Sequence, residues 1–185
     1  MQDFVGRVVL PTLFLSLLAC SETPTESNPR DGASITASGY YSGTFRVETI
    51  APSNEPRPAD GSYVLTNPSP LEVTIMIRTT HVQRVAQVWF PENAQPGTYP
   101  LVDFANGECE SGAVCAGGWI DFERPRDGSA DVTLDVITSG TATIETLTET
   151  RIRGRFDTDV DAILIAAGGV VQKATVRGTF NLPRQ

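Results

Sequence analysis

Two tryptophans and two acidic residues are the side chains in this 185-residue sequence whose spacing best suits a binding site. Trp119, Asp121 and Glu123 alternate with apolar residues, so they would share one face of a β-strand. Trp89 falls on the more polar face of another predicted strand, beside Gln87. Large aromatic residues on such a face mark contact surfaces, so we predict candidate binding residues here. The alternative is that a second layer or a loop covers both indole rings.

The two carboxylates allow one catalytic hypothesis, in which Asp121 and Glu123 hydrolyse a glycan. Retaining glycosidases hold such carboxyl groups about 5–5.5 Å apart, and same-face neighbours in a strand lie about 6.5–7 Å apart. Any outward strand face carries acids, however, so the spacing has little specificity. His81 is the single histidine, and no Gly-x-Ser-x-Gly motif is present. We therefore predict a non-enzymatic protein without a cofactor, with the glycan-acting enzyme as the alternative.

Asp157, Asp159 and Asp161 match the first ligand positions of a calcium-binding loop. An EF-hand also needs a glycine and a glutamate further along, and this sequence has Ala162 and Gly168 at those positions. The match is too weak for us to predict a metal site. We expect a solvated acidic bend at the end of a strand, and a calcium-stabilised, adhesion-like domain is the alternative.

The beginning of the chain has the character of a secretory signal. Residues 1–7 are weakly positive, and residues 8–19 form a mostly apolar run. A membrane-spanning helix needs about 20 apolar residues, so this run is too short to span a bilayer. We expect residues 1–19 to be a signal peptide.

The sequence Leu17-Leu18-Ala19-Cys20 at the end of this run resembles the lipobox of bacterial lipoproteins. The resemblance implies cleavage before Cys20 and attachment of acyl chains to that residue. Ser21 follows, where the family would place Asp for retention in the inner membrane, and this implies the outer membrane. An ordinary secretory signal with Cys20 close to the cleavage site is the alternative.

Cys109 and Cys115 remain for pairing if Cys20 is acylated. Export would place them in a compartment where disulfides persist. The ring that they close is short, and loop entropy gives it about 2–2.5 kcal/mol of stabilisation. Two cysteines without a neighbouring histidine make a poor zinc site, so we predict a disulfide.

Composition and charge divide the rest of the chain. Residues 20–38 contain almost no large apolar side chain, so we predict that the lipidated Cys20 is followed by a flexible linker. Residues 39–185 are long enough for one domain with its own core. The net charge of −8 argues against nucleic acid as a partner. The predicted partners are the membrane, through the acyl chains on Cys20, and an unknown ligand or envelope protein.

The elements that must position the candidate residues are β-strands. Thr and Val are abundant, and alternating segments are separated by Pro, Gly, Asn and Asp. Residues 160–167 lack a period of two and fit either a buried strand or a helical turn. We predict an all-β domain, an antiparallel β-sandwich or small closed β-barrel of about 8–10 strands. The strands are predicted at residues 41–48, 63–66, 71–78, 85–90, 99–104, 118–123, 132–136, 141–148, 151–158 and 170–182, with a turn at Ser139-Gly140.

A Gly-x-Phe pattern occurs in three of these strands, at residues 43–45, 154–156 and 178–180. A glycine in a strand leaves a gap in which a ring from the neighbouring strand can lie over bare backbone. We predict a packing role, with the first and the last two strands close together. An interior cavity between the phenylalanines would indicate an apolar ligand, whereas a filled interior would indicate recognition at the surface.

Overall fold

The computed structural model describes residues 31–51, 61–68, 71–105, 107–109, 113–125 and 133–184, although not the side chains of residues 123–125. No helix within these ranges is long and apolar enough to cross a membrane. The same ranges contain ten strands: β1 (Gly32–Gly39), β2 (Gly43–Val47), β3 (Tyr63–Pro68), β4 (Leu71–Arg78), β5 (Val82–Trp89), β6 (Gly97–Asp103), β7 (Ala116–Pro125), β8 (Thr133–Leu147), β9 (Arg151–Leu164) and β10 (Val170–Pro183).

The strands form one mixed sheet that is nearly closed into a barrel. Their order is β2-β1-β10-β9-β8-β6-β7-β5-β4-β3, and all neighbours are antiparallel except β6 and β7. Ile50, just after β2, forms a parallel bridge with Val64 of β3, which brings the two edges of the sheet together. Backbone hydrogen bonds of 2.8 Å from Val64 N–H and Ala51 N–H hold this junction. The predicted all-β class is confirmed, and the parallel pair is the departure from an antiparallel sheet.

One continuous apolar cluster fills the interior, and every strand contributes to it. Buried and exposed residues alternate most regularly along β9 and β10. The inward rings of Phe90, Phe122, Phe156 and Phe180 are each no more than 3% exposed. Apolar side chains therefore occupy the space between these phenylalanines.

Two of the three Gly-x-Phe strands interlock. Phe156 of β9 lies opposite Gly178 of β10, and Phe180 of β10 lies opposite Gly154 of β9. A Cβ atom at Gly178 would lie 2.1 Å from the Phe156 ring, and one at Gly154 would lie 2.7 Å from the Phe180 ring. Each ring therefore lies over bare backbone, which confirms the predicted packing role here. The third ring, Phe45, is only partly buried, and β1 separates its strand from β10.

The predicted linker is wrong for residues 32–38, because these residues belong to β1. This strand lies between β2 and β10 and pairs antiparallel with both. Ala33, Ile35 and Ala37 point into the barrel and are buried. Since only one of the three is large, the composition of the segment resembles that of a linker, and the strand is held by its two backbone ladders. Residues 1–30, with the predicted signal and Cys20, lie outside the described residues.

The predicted turn at Ser139-Gly140 is also wrong. Both residues lie inside β8, which pairs with β9 on either side of a register shift between Ile137 and Ser139. A shift of this kind is a β-bulge, which bends the strand without reversing it. Gly140 serves close packing and not a turn, since a Cβ atom there would lie 2.7 Å from the carbonyl oxygen of Asp157.

Residues 160–167 combine the two predicted alternatives. β9 continues to Leu164, and Ile165–Ala167 then forms a 3₁₀ turn. Gly168 and Gly169 follow with φ angles of 73° and 85°, a left-handed conformation that favours glycine. The segment therefore ends one strand and starts the reversal into the next.

The tip of the β9–β10 hairpin extends past the end of β1, whose last residue lies opposite Ala174. Residues 162–172 carry no charged side chain. Ile165, Val170 and Val171 in this segment are each about half exposed. The tip is thus an uncharged projection at the barrel end opposite the one where the chain enters β1.

Replacing Gly178 with alanine should destabilise the barrel by about 3 kcal/mol, because the new methyl group would overlap the buried Phe156 ring. Urea unfolding of the Gly178→Ala variant measures this loss. Gly97→Ala is the matched control, since a Cβ atom there would have its nearest neighbour at 3.9 Å, and it should change stability by about 0.5 kcal/mol or less. Equal losses in the two variants would contradict the packing role.

Candidate functional site

The outer face of β4, β5 and β7 brings three of the predicted binding residues together. Trp89 lies on β5, and Trp119 and Asp121 lie on the adjacent β7. We call this surface the aromatic face and define it by Gln87, Trp89, Phe104, Trp119 and Asp121. Three cross-strand rows build it: Glu72–Trp89–Gly117, Thr74–Gln87–Trp119 and Met76–Val85–Asp121.

Alternation along β7 sets the direction of these side chains. Ile120 and Phe122 point inward and are almost fully buried. Trp119 and Asp121 therefore point outward, and both are partly buried. Glu123 lies in the same strand, but its side chain is outside the described part of the chain.

Phe104 is a site residue that the sequence pattern did not predict. Its ring packs against Trp89, with centroids 4.6 Å apart and an interplanar angle of 31°. Gly117 lies beneath the pair, since a Cβ atom there would be 3.6 Å from Phe104 and 3.8 Å from Trp89. Phe104 is nevertheless 68% exposed. Gly117 near the start of β7 is the available signal, because a glycine at an outward position leaves room for a ring on the outer face.

Backbone and carboxylate contacts hold Phe104 in place. Its N–H donates a 2.8 Å hydrogen bond to the carbonyl of Gly118. The buried carboxylate of Asp103 accepts hydrogen bonds from the N–H of Ala105 at 3.0 Å and from the N–H of Ile137 at 3.2 Å. The turn that carries Phe104 is therefore fixed to both β7 and β8.

Cys109 and Cys115 are joined by a disulfide, as predicted, with their Cα atoms 5.9 Å apart. The bridge lies in the connection between β6 and β7, and Cys115 immediately precedes the first residue of β7. Val114 in this loop is 60% exposed. The disulfide thus restrains the chain segment that follows Phe104.

A buried polar network lies beside the aromatic rings. Gln87 Nε2 donates to Glu72 Oε1 at 3.1 Å and to Thr74 Oγ1 at 2.9 Å. The Thr74 hydroxyl in turn donates to Glu72 Oε1. All three residues are buried, although they point away from the barrel interior. The network fixes Gln87 in the row of Trp119, next to the row of Trp89.

Trp119 has a structural contribution that Trp89 lacks. It packs against a second, smaller apolar cluster on the outer side of the sheet. The buried members of this cluster are Ala51, Tyr63, Leu65, Met76 and Val85. The predicted alternative, that other parts of the chain cover an indole ring, therefore applies in part to Trp119. The Trp89–Phe104 pair is the more open portion of the aromatic face.

The carboxylates of Glu72 and Asp121 are too far apart to form a glycosidase pair. Asp121 lies opposite Val85 in the cross-strand register. Glu72 is two strands and four residues away from Asp121, a separation of about 16 Å at ordinary strand spacings. Paired catalytic carboxyl groups lie within about 5–9.5 Å of each other. The catalytic alternative would therefore depend on Glu123.

Asp157, Asp159 and Asp161 lie within β9 and not in a bend at its end. Each points outward and has a partner, so the carboxylates do not converge. Asp157 pairs with Arg177 at 2.8 Å and Asp161 pairs with Lys173 at 2.5 Å. Asp159 accepts hydrogen bonds from Ser139 and Thr175. Across the described residues, no group of three or more His, Cys, Asp or Glu side chains is arranged to hold a metal ion.

Comparison of the chain with protein-family models, with curated proteins and with solved structures gives no match.

Removing the Thr74 hydroxyl should destabilise the domain by about 1–3 kcal/mol, because the buried Glu72 carboxylate would lose a hydrogen bond. Urea unfolding of Thr74→Val measures the change. Thr98→Val is the control. Thr98 is exposed, and among the described contacts its hydroxyl forms a hydrogen bond only with the Thr143 hydroxyl. If Thr98→Val lowers the free energy of unfolding as much as Thr74→Val does, the buried network does not stabilise the domain more than an exposed hydroxyl pair.

Proposed function

We propose that this protein is a lipid-anchored, non-enzymatic binding module of the bacterial envelope, with the aromatic face as its binding site. The observation that carries the binding role is the Trp89–Phe104 pair, which exposes an aromatic ring on the outside of a barrel whose interior is filled. Exposed large aromatic residues on a rigid surface are typical of contact sites.

The filled interior supports surface recognition. The continuous apolar cluster includes inward residues from every strand. A ligand inside the barrel would have to displace packed side chains, at a cost comparable to that of overpacking a core. A ligand on the aromatic face displaces water instead, which is favourable over exposed rings.

The proposed anchor is Cys20, in the segment that resembles a lipobox. β1 begins at Gly32, so the tether is shorter than the predicted linker. Asp31 is paired with Arg151, so the predicted flexible linker is reduced to residues 21–30 and would place the barrel about 16–19 Å from the acyl chains on average. The domain would then lie close to the outer membrane, with the hairpin tip directed away from the end where the tether joins.

Mass spectrometry of the mature protein from a bacterial host that lipidates exported proteins tests this anchor. We expect an N-terminus at Cys20 that carries acyl chains, and we expect Cys20→Ser to lose membrane attachment because stable anchoring needs those chains. The Cys109→Ser/Cys115→Ser double variant is the control and should remain in the membrane fraction. An unmodified Cys20, or a chain that still begins at Met1, would overturn the anchor.

Incubation with pools of envelope glycans tests the absence of catalysis. We expect saturable binding without product formation in the unmodified protein. Asp121→Asn should likewise form no product, because the described Glu72 carboxylate lies about 16 Å from Asp121. Product release that disappears in Asp121→Asn would instead support the glycan-acting enzyme with Glu123 as its second carboxylate.

A further inference from the structure

We propose that the aromatic face binds a neutral carbohydrate, with the apolar side of a sugar ring stacked on the open face of the Phe104 ring, whose other face packs against Trp89. This inference rests on the proposed binding function and adds the class of ligand. It follows from the shape of the ring pair, its exposure, and the charges around it.

The two rings form a platform and not a cage. Their centroids are 4.6 Å apart and their planes are tilted by 31°, so the two rings pack on each other and the outer face of Phe104 forms the platform. A cage for a cation needs ring faces directed at one point from several sides, which this pair does not provide. A platform presents the negative face of a π-system, and the C–H bonds on one side of a pyranose ring are suited to it.

The protein covers two other aromatic rings with its own arginines. The Arg78 guanidinium lies 5.7 Å from the centroid of Tyr63, and the Arg84 guanidinium lies 5.0 Å from that of Phe45. Phe104, at 68% exposure, is the most exposed large apolar side chain in the described part of the chain. A fixed ring left open in this way is suited to a partner from outside the molecule.

The charges around the platform disfavour anionic ligands. The described residues of the three rows and of positions 104–109 include three charged side chains, and all three are acidic: Glu72, Glu108 and Asp121. Phosphate and other anions would be repelled by this acidic surround. Sugar hydroxyl groups, in contrast, can donate hydrogen bonds to carboxylate oxygens, since a carboxylate accepts several at once.

The face extends beyond one ring pair. Trp119 lies on the neighbouring strand, one diagonal position from Trp89. Diagonal neighbours lie about 7–8 Å apart, within reach of large aromatic side chains. A second aromatic group at this distance fits a chain of sugar units better than a single sugar. Because backbone contacts and the disulfide hold the platform in advance, little ordering is needed on binding.

Intrinsic fluorescence reports on this face directly, because the chain has two tryptophans and both lie there. The full-length protein in detergent micelles is titrated with cellotetraose and, separately, with the tetramer of N-acetylglucosamine. We expect a saturable change in fluorescence with at least one of these neutral probes. Phe104→Ala should weaken that binding at least about tenfold, and Phe104→Tyr, which keeps a stacking ring, should retain it.

Two controls separate the site from general effects. Tyr40→Ala removes another exposed aromatic ring, in the connection between β1 and β2 and outside the aromatic face, and should bind as the unmodified protein does. Since Phe104 is largely exposed, Phe104→Ala should keep the same unfolding midpoint, so a loss of binding would report on the site and not on the fold.

Three outcomes would overturn the assignment. Sugar binding that is unchanged in Phe104→Ala would place the carbohydrate elsewhere. A Phe104-dependent response to tetramethylammonium, with none to either sugar, would replace the carbohydrate with a cationic ligand and leave the binding function intact. No response to any of these probes, together with no binding from the envelope glycan pools, would overturn both the ligand class and the proposed function.

Discussion

The packing of two phenylalanine rings onto bare glycine backbone is the contact on which the barrel depends. Phe156 and Phe180 come from two long neighbouring strands, and each ring occupies the space that a side chain on the other strand would need. β9 and β10 can therefore pair along their whole length while their rings fill the centre. β8 and β1 pair with their outer edges, so this contact sets the position of half of the sheet.

The corner between β6, β7 and β8 shapes the outer surface beside the aromatic face. Where β6 ends, the Asp103 carboxylate accepts the backbone N–H of Ile137 on β8, and Asp135 on β8 accepts the N–H of Phe122 on β7 at 2.8 Å. Beyond the end of β6, no described strand lies between β7 and β8 to bond with both. These side-chain contacts connect the two strands there instead. They also hold the turn at which Phe104 leaves the sheet, which links the closure of the barrel to the aromatic face.

The sequence pattern predicts much of this fold but less of its site. Residues 71–78 match β4 because their inward apolar side chains alternate with mostly polar outward ones without interruption. β1 escapes prediction because Ile35 is the one large apolar side chain on its buried face, and the small Ala33 and Ala37 give no strong alternating pattern. Phe104 stands at a strand end, where periodicity carries no information. The contact between Glu72 and Gln87 depends on the register between β4 and β5, which no local pattern specifies.

The projecting β9–β10 hairpin has a practical consequence for topology on the cell. A methyl group added at Gly168 or Gly169 would meet no heavy atom within 4 Å, so open space surrounds the turn at these two residues. Lengthening a loop costs only about 0.6 kcal/mol per doubling, and exposed turns tolerate inserted peptides well. An epitope placed between these two glycines would sit at the barrel end opposite the start of β1, and under the proposed anchor an antibody applied to intact cells could distinguish surface display from a periplasmic orientation.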